Sequence, residues 1–233
     1  SEMSGNVIDL CPVGALTSKP YSFVSRPWEL KKTETIDVMD AIGSNIRVDT
    51  RGGEVLRVLP RVNEDINEEW ISDKARFSCD GLKRQRLDKP FVRKDGKLVP
   101  ASWDEALSVV ADKMKQISPE AIAVLVGDQC EAESMFALKC LAEKLGIENI
   151  DCRQDGAKIN TDSRASYLFN STIAGIEDAD AVLLIGTNPR WEAPVLNARI
   201  RKRWLETRLP IALIGEEYDL TYDVDYLGNS ALL

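Results

Sequence analysis

Asp178-Ala-Asp-Ala-Val-Leu-Leu-Ile-Gly-Thr-Asn-Pro-Arg-Trp-Glu-Ala-Pro-Val-Leu-Asn-Ala-Arg-Ile-Arg201 reads as a strand, a tight loop and a helix. Ala181 to Ile185 is an unbroken apolar run with turn residues at both ends, the pattern of a strand covered on both faces in a parallel sheet. Gly186-Thr187-Asn188-Pro189 breaks the run. Beyond it Ala193, Leu196, Ile200 and Trp204 recur at helical spacing. Pro194 is tolerated there because a helix's first turn leaves its amides unpartnered anyway. Such a loop falls at the carboxyl edge of a sheet, where α/β proteins bind ligands. It is equally the ordinary connection of such a fold, so a binding loop and plain architecture both stand at this point.

Outward from this unit the alternation continues. Ser102-Trp103-Asp104-Glu105 has the form of a capping box. Behind it Trp103, Ala106, Leu107, Val110, Met114 and Ile117 form one apolar face, and Ser118-Pro119 ends the helix. Ala121 to Val126 reads as a strand, with Gly127-Asp128 opening a loop. A helix is predicted over 131–145, with Gly146 as its stop. Asn149 to Cys152 and Ile211 to Ile214 are further strands, and Ser166 to Phe169 is a candidate short helix. Strands alternating with helices of this length predict an α/β fold with a doubly wound, mainly parallel sheet. Before residue 101 the texture differs. Ile46–Thr50 and Glu54–Leu59 alternate around Arg51-Gly52-Gly53, a hairpin signal, because glycine supplies the positive φ of a tight turn. Lys83, Arg84, Arg86, Lys89, Arg93, Lys94 and Lys97 make a basic stretch, read as a solvated surface in preference to a docking site.

The composition is that of an ordinary globular protein, 44% hydrophobic and 29% charged over 233 residues. A net charge of −8 argues against a general nucleic-acid binder. No apolar run approaches the roughly 20 residues that cross a bilayer, and there is no signal-peptide pattern. Five cysteines without paired spacing suit a reducing compartment better than a disulfide framework. There is no histidine, which excludes an imidazole base within this chain.

Ile8-Asp-Leu-Cys-Pro-Val-Gly-Ala-Leu-Thr17 is the most informative short motif. A lone cysteine is usually a small buried hydrophobe. A Cys-Pro, however, also ends the ligand run of a bacterial-type 4Fe-4S site, where the last thiolate serves a cluster whose other ligands lie elsewhere. No Cys-x-x-Cys-x-x-Cys run accompanies it here. Either Cys11 is structural, or the chain is a piece whose remaining ligands lie upstream.

Ser4-Gly-Asn-Val-Ile-Asp-Leu-Cys-Pro-Val-Gly-Ala-Leu-Thr-Ser-Lys-Pro20, with Arg26-Pro-Trp-Glu29 and the stretch from Ala179 through Trp204, closely resembles the large iron–sulfur subunits of respiratory complex I, NADH:quinone oxidoreductase. The resemblance covers essentially the whole chain. It implies three parts: the end of an iron–sulfur (ferredoxin-like) region at 1–30, a small β-rich domain at 31–100, and an incomplete molybdopterin-oxidoreductase-like α/β domain at 101–233. It implies that Cys11 is the fourth ligand of a 4Fe-4S cluster between flavin and quinone, the other three lying outside this chain.

Relatives in this group place a further cluster on Cys-x-x-Cys-x-x-x-Cys and a later cysteine. The matching positions here are Asp37, Asp40, Ser44 and Ser72. Thiolates suit iron–sulfur clusters and hard oxygens do not, so no cluster is expected there. Gly186-Thr187-Asn188-Pro189 fits a phosphate-holding loop. Gly215-Glu216-Glu217, where relatives commonly carry an Asp-Pro-Arg type sequence, does not, and no molybdopterin is expected.

The implied function is electron transfer and scaffolding within NADH:quinone oxidoreductase, the fragment itself being inactive and without a bound cofactor. Its implied partners are other peripheral-arm subunits, including the flavin-bearing NADH-binding subunit, on the cytoplasmic or matrix side of the membrane. Two other functions compete. One is a molybdopterin-dependent enzyme of the formate dehydrogenase or nitrate reductase type. The other is a plain nucleotide-binding domain, for which no G-x-G-x-x-G or Walker sequence is present.

Overall fold

The structure is a computed structural model and describes residues 2–127, 129–152, 159–160 and 162–230. In chain order its regular elements are α1 (Asn6–Leu10), β1 (Lys31–Ile36), β2 (Asn45–Arg51), β3 (Glu54–Pro60), α2 (Asp73–Phe77), β4 (Phe91–Lys94), β5 (Lys97–Pro100) and α3 (Trp103–Gln116). They continue with β6 (Val124–Leu125), α4 (Ala132–Leu145), β7 (Ile150–Asp151), β8 (Val182–Ile185), α5 (Pro189–Glu192), α6 (Pro194–Thr207), β9 (Ile211–Ile214) and β10 (Asp225–Gly228). The chain forms two compact units, Ser1–Arg84 with Leu168–Leu233, and Gln85–Tyr167.

In the first unit, β1, β2 and β3 form an antiparallel sheet. Gly52 and Gly53 both have positive φ (60° and 83°) and join β2 to β3 in the two-residue turn that the Gly-Gly pair predicts. A second, parallel sheet has the order β10-β9-β8. Leu184, Leu213, Ile211 and Ile200 bury their side chains between this sheet and α6, each worth about 1.5–3 kcal/mol relative to exposure. The helix carries the predicted Ala193–Trp204 stripe, with Pro194 in its first turn. One expectation fails: Leu183 and Ile185 are exposed, so β8 is covered on one face only. An all-apolar run does not reveal this, because a strand's alternation is invisible when both faces are apolar.

Arg199 ties α6 to the loops around it. It is buried and donates to Glu177 Oε1 at 2.5 Å and to the carbonyls of Ile66 and Glu64. Lys202 adds ion pairs to Glu68 (2.7 Å) and Glu177 (2.9 Å).

The second unit holds the β4–β5 hairpin, α3, α4 and the short parallel pair β6–β7. The hairpin's Asp95-Gly96 turn, with φ of 50° and 79°, went unread in the sequence among the surrounding lysines. Ser102 Oγ accepts the Glu105 amide at 3.2 Å, half of the expected capping box. The Glu105 carboxylate pairs instead with Lys94 at 2.6 Å. No residue of α3 is buried, so its apolar face does not enter a core in this chain. The strand expected over Ala121–Val126 is only two residues long, because Pro119–Ala121 forms a 3₁₀ turn. Ser166–Phe169 is not helical, and a 3₁₀ turn lies earlier, at Arg164–Ser166. Asp128, expected to open a loop, lies outside the described residues. Gly146 closes α4 in the left-handed conformation (φ 68°), as predicted. The observed class is mixed α/β with parallel sheets.

Candidate functional site

Three places carry chemistry-bearing residues, all in the first unit. The first is the loop after α1. Cys11 caps that helix, its amide donating to the Val7 carbonyl at 3.1 Å. Pro12 stops the helix, and Gly14 (φ 66°) lets the chain curl back. As a result the Leu16 amide donates to Cys11 Sγ at 3.4 Å. The amides of Leu16, Val13, Ala15 and Gly14 together hold the thiol below its usual pKa, because N–H dipoles aimed at sulfur favour the thiolate.

The helix bearing this loop is pinned to α2. Gly5 N donates to Asp73 Oδ1 (2.7 Å), and Asn6 exchanges hydrogen bonds with both backbone groups of Ile71. Buried Arg76 reaches Asn6 Oδ1 (3.1 Å) and Asp9 Oδ2 (2.5 Å). A Cβ on Gly5 would stand 2.7 Å from Arg76 Cδ and 2.8 Å from Asp73 Oδ1. Beside the Cys11 loop opens a cavity of about 1020 Å³, whose walls include Asp9, Leu16, Tyr21, Arg51 and Arg57.

The second place gathers Asp37, Asp40, Ser44 and Ser72. Asp37 and Ser44 extend the β1–β2 ladder as opposite residues, Asp37 N donating to the Ser44 carbonyl at 2.8 Å, so their side chains share a face. Asp40 Oδ1 accepts the Ile42 amide at 3.2 Å. Ser72 caps α2, accepting the Ala75 amide at 3.1 Å, and its hydroxyl also faces the Asp40 carboxylate. Asp37, Ser44 and Ser72 are buried, and Asp40 is half-buried. Among the described residues Asp37 Oδ2, Asp40 Oδ2 and Ser44 Oγ have no hydrogen-bond partner, at a cost of about 1–3 kcal/mol for each such group. Burial, and then the neighbouring Asp40 charge, push the Asp37 carboxyl above its ordinary pKa; burial does the same to Asp40. Asp37 thus lies beside Ser44 and Asp40, and Asp40 beside Ser72, and this donor set, two carboxylates and two hydroxyls, does not fit an iron–sulfur cluster.

The contrast within the same sheet is Asp49. Its side chain is fully buried, and burial alone would raise its pKa. Arg47 (2.9 Å) and Arg57 (2.8 Å) outweigh that and hold the carboxylate below its usual range.

The third place is the carboxyl edge of β8 and β9. Gly215 packs against Gly186, where a Cβ would lie 3.3 Å from the Gly186 backbone. Three donors of the Gly186 loop are already engaged, the Gly186 amide by the Ile214 carbonyl at 2.8 Å and two more by Glu192. The Asn188 amide donates to Glu192 Oε1 and Thr187 Oγ1 to Glu192 Oε2, both at 2.8 Å. Sequence reading missed Glu192; its signal was a carboxylate four residues after Asn188, at capping distance. With Glu216 and Glu217 on the neighbouring loop, this edge does not fit an anionic dinucleotide.

Cys79 is half-buried against the β2–β3 core, and burial, then Asp80, raise its thiol pKa. Cys130 and Cys152 are exposed, Cys140 is half-buried, and all are free thiols. Among the described residues no helix is long and apolar enough to cross a membrane.

Residues 86–232 match the molybdopterin oxidoreductase family, and residues 30–80 match the NADH-ubiquinone oxidoreductase NDSU1/NuoG-like 4Fe-4S domain. The chain is 60% identical to the mitochondrial NADH-ubiquinone oxidoreductase 78 kDa subunit of Candida albicans, over 99% of its own length and 33% of the relative's. It is 57% identical to the Neurospora crassa protein of the same name, over 98% of the chain and 32% of the relative. It is 58% identical to an NADH-quinone oxidoreductase subunit of Rickettsia bellii, over 98% of the chain and 34% of the relative. The chain thus spans about a third of the length of the curated relatives it matches.

Proposed function

Since this chain belongs to the molybdopterin oxidoreductase family, and its relatives are named as complex I subunits, we propose that it is part of the large iron–sulfur subunit of an NADH:quinone oxidoreductase. In this reading it supplies one cluster ligand and is otherwise scaffold. The observation that carries the reading is the Cys11 loop, where the Leu16 amide donates to the sulfur and the neighbouring amides lower the thiol's pKa. A 4Fe-4S cluster supplies one-electron transfer. The chain's own contribution is to hold Cys11 Sγ in place, through the α1–α2 clamp, and to stabilise its charge with backbone donors.

The partners are then other peripheral-arm subunits, including the flavin-bearing NADH-binding subunit, on the cytoplasmic side of a bacterial membrane or the matrix side of a mitochondrial one. In this reading the parallel β10-β9-β8 sheet is part of a doubly wound sheet of the molybdopterin-oxidoreductase type. The oxygen donors of the Asp37 pocket and the Glu192 carboxylate on the Gly186 loop count against the molybdopterin-enzyme reading. Two measurements on the full-length protein test this. Cys11→Ala is expected to remove the electron-paramagnetic signal of one cluster and leave the others. Molybdenum content is expected to be negligible, and a stoichiometric value would overturn the scaffold assignment.

A further inference from the structure

We propose that the pocket formed by Asp37, Asp40, Ser44 and Ser72 is a binding site for a hard divalent cation of the Mg²⁺/Ca²⁺ class. The inference goes beyond the iron–sulfur reading and stands without it. Exchanging thiolates for carboxylates and hydroxyls does not leave an inert pocket; it changes which metals the pocket prefers, from soft to hard. Three oxygens without a hydrogen-bond partner among the described residues, Asp37 Oδ2, Asp40 Oδ2 and Ser44 Oγ, come from one short loop between β1 and β2 and its ladder end. Asp37 is 5% exposed and Ser44 0%, so two of the three are oxygens of deeply buried side chains.

Their other hydrogen bonds orient them. The Ile42 amide fixes Asp40, the Val38 and Met39 amides face Asp37, and Ser72 is held as the cap of α2. Two carboxylates match the charge of a divalent ion. The nearest cation of the chain, Lys74, acts on both aspartates from an exposed position and forms no ion pair with either. Three protein oxygens leave coordination positions for water, as Mg²⁺ and Ca²⁺ both accept. A cleft of about 290 Å³, lined by Glu2, Ser72, Asp73, Lys74, Trp191 and Pro194, reaches the Ser72 side of the site and sets Trp191 on the same cleft as Ser72. Among the described residues no group of three or more His, Cys, Asp or Glu gathers, this pocket included, so its case rests on two carboxylates and the serine hydroxyls beside them.

Terbium(III), a luminescent stand-in for Ca²⁺ that tryptophan sensitises, tests the site in the full chain. Luminescence excited through tryptophan should saturate at one ion per chain and be displaced by Ca²⁺ or Mg²⁺. Asp37→Asn with Asp40→Asn should weaken binding at least about tenfold, since affinity at such sites follows the charge count. Circular dichroism checks that the variant is folded; should the pair of changes unfold it, Asp40→Asn alone carries the same expectation. Luminescence that does not saturate, or that saturates equally in wild type and variant, overturns the site; the latter marks adventitious binding to the acidic surface.

Discussion

Cys11 and the Asp37 pocket sit on either end of the same short scaffold and have met opposite fates. Segment 71–76 serves both: Ile71, Asp73 and Arg76 clamp α1 and with it Cys11, while Ser72 belongs to the pocket. At Cys11 the donor is sulfur, the surrounding amides point at it, and the pKa is pulled down. In the pocket the donors are oxygens, burial dominates, and the pKa values are pushed up. The pocket lies within the stretch, residues 30–80, that matches a 4Fe-4S domain, yet its donors are oxygens. Scaffold and donor set therefore vary independently, and the metal preference of a site follows its donor atoms more than its fold.

The largest effect should come from reversing the exchange. Asp37→Cys, Asp40→Cys, Ser44→Cys and Ser72→Cys together should give a chain that takes up one 4Fe-4S cluster on anaerobic reconstitution, measured as iron and acid-labile sulfide. The unaltered chain should take up none at these positions. Failure of the quadruple variant to bind iron would show that the pocket has lost its geometry as well as its ligands.

Next comes the paired carboxylate, which sharpens the contrast between satisfied and unsatisfied burial. Asp49→Ala should cost toward the lower end of the roughly 3–5 kcal/mol seen for broken buried pairs, because Arg47 and Arg57 are partly exposed and can turn to water. Urea unfolding measures it. The pH dependence has a definite sign. Asp49's folded-state pKa lies below its unfolded value of 3.8, so its contribution is present above that value and is lost as pH falls through the folded pKa. Asp37 and Asp40 slope the other way: their folded pKa values lie above 3.8, so stability declines as pH rises through them in chelator-treated protein. Asp37→Asn should then raise the chelated protein's melting temperature at neutral pH, read by calorimetry.

A smaller loss is expected at the clamp. Gly5→Ala places a methyl against Arg76 and Asp73 and should cost about 1–3 kcal/mol, the range for overpacking. Cluster occupancy at Cys11 should fall with it in the full-length protein. The smallest effect is at the Gly186 loop, where Glu192→Ala removes a cap and should cost about 0.5–2 kcal/mol by thermal unfolding.

The strand–loop–helix from Val182 to Thr207 and the Gly52-Gly53 hairpin were legible because local rules decide them, namely periodicity and the φ a turn requires. The four pocket positions were legible only through the resemblance, which supplied the ligand pattern they match. What sequence did not show depends on partners distant along the chain. The β1 strand hides in Lys31–Ile36, whose alternation is polar on both faces and whose pairing to β2 is a long-range fact. Arg199 looks like any helix-surface arginine until Glu64, Ile66 and Glu177 close around it. The exposure of Leu183, Ile185 and the α3 face is likewise decided by what packs there, which no window of residues contains.

Replacing Cys11 by alanine in the full-length protein and counting its clusters by electron paramagnetic resonance and iron content bears most directly on the sulfur side of this comparison. The account predicts one 4Fe-4S cluster fewer, with the remaining clusters and the fold intact. A full complement of iron after the replacement would contradict it.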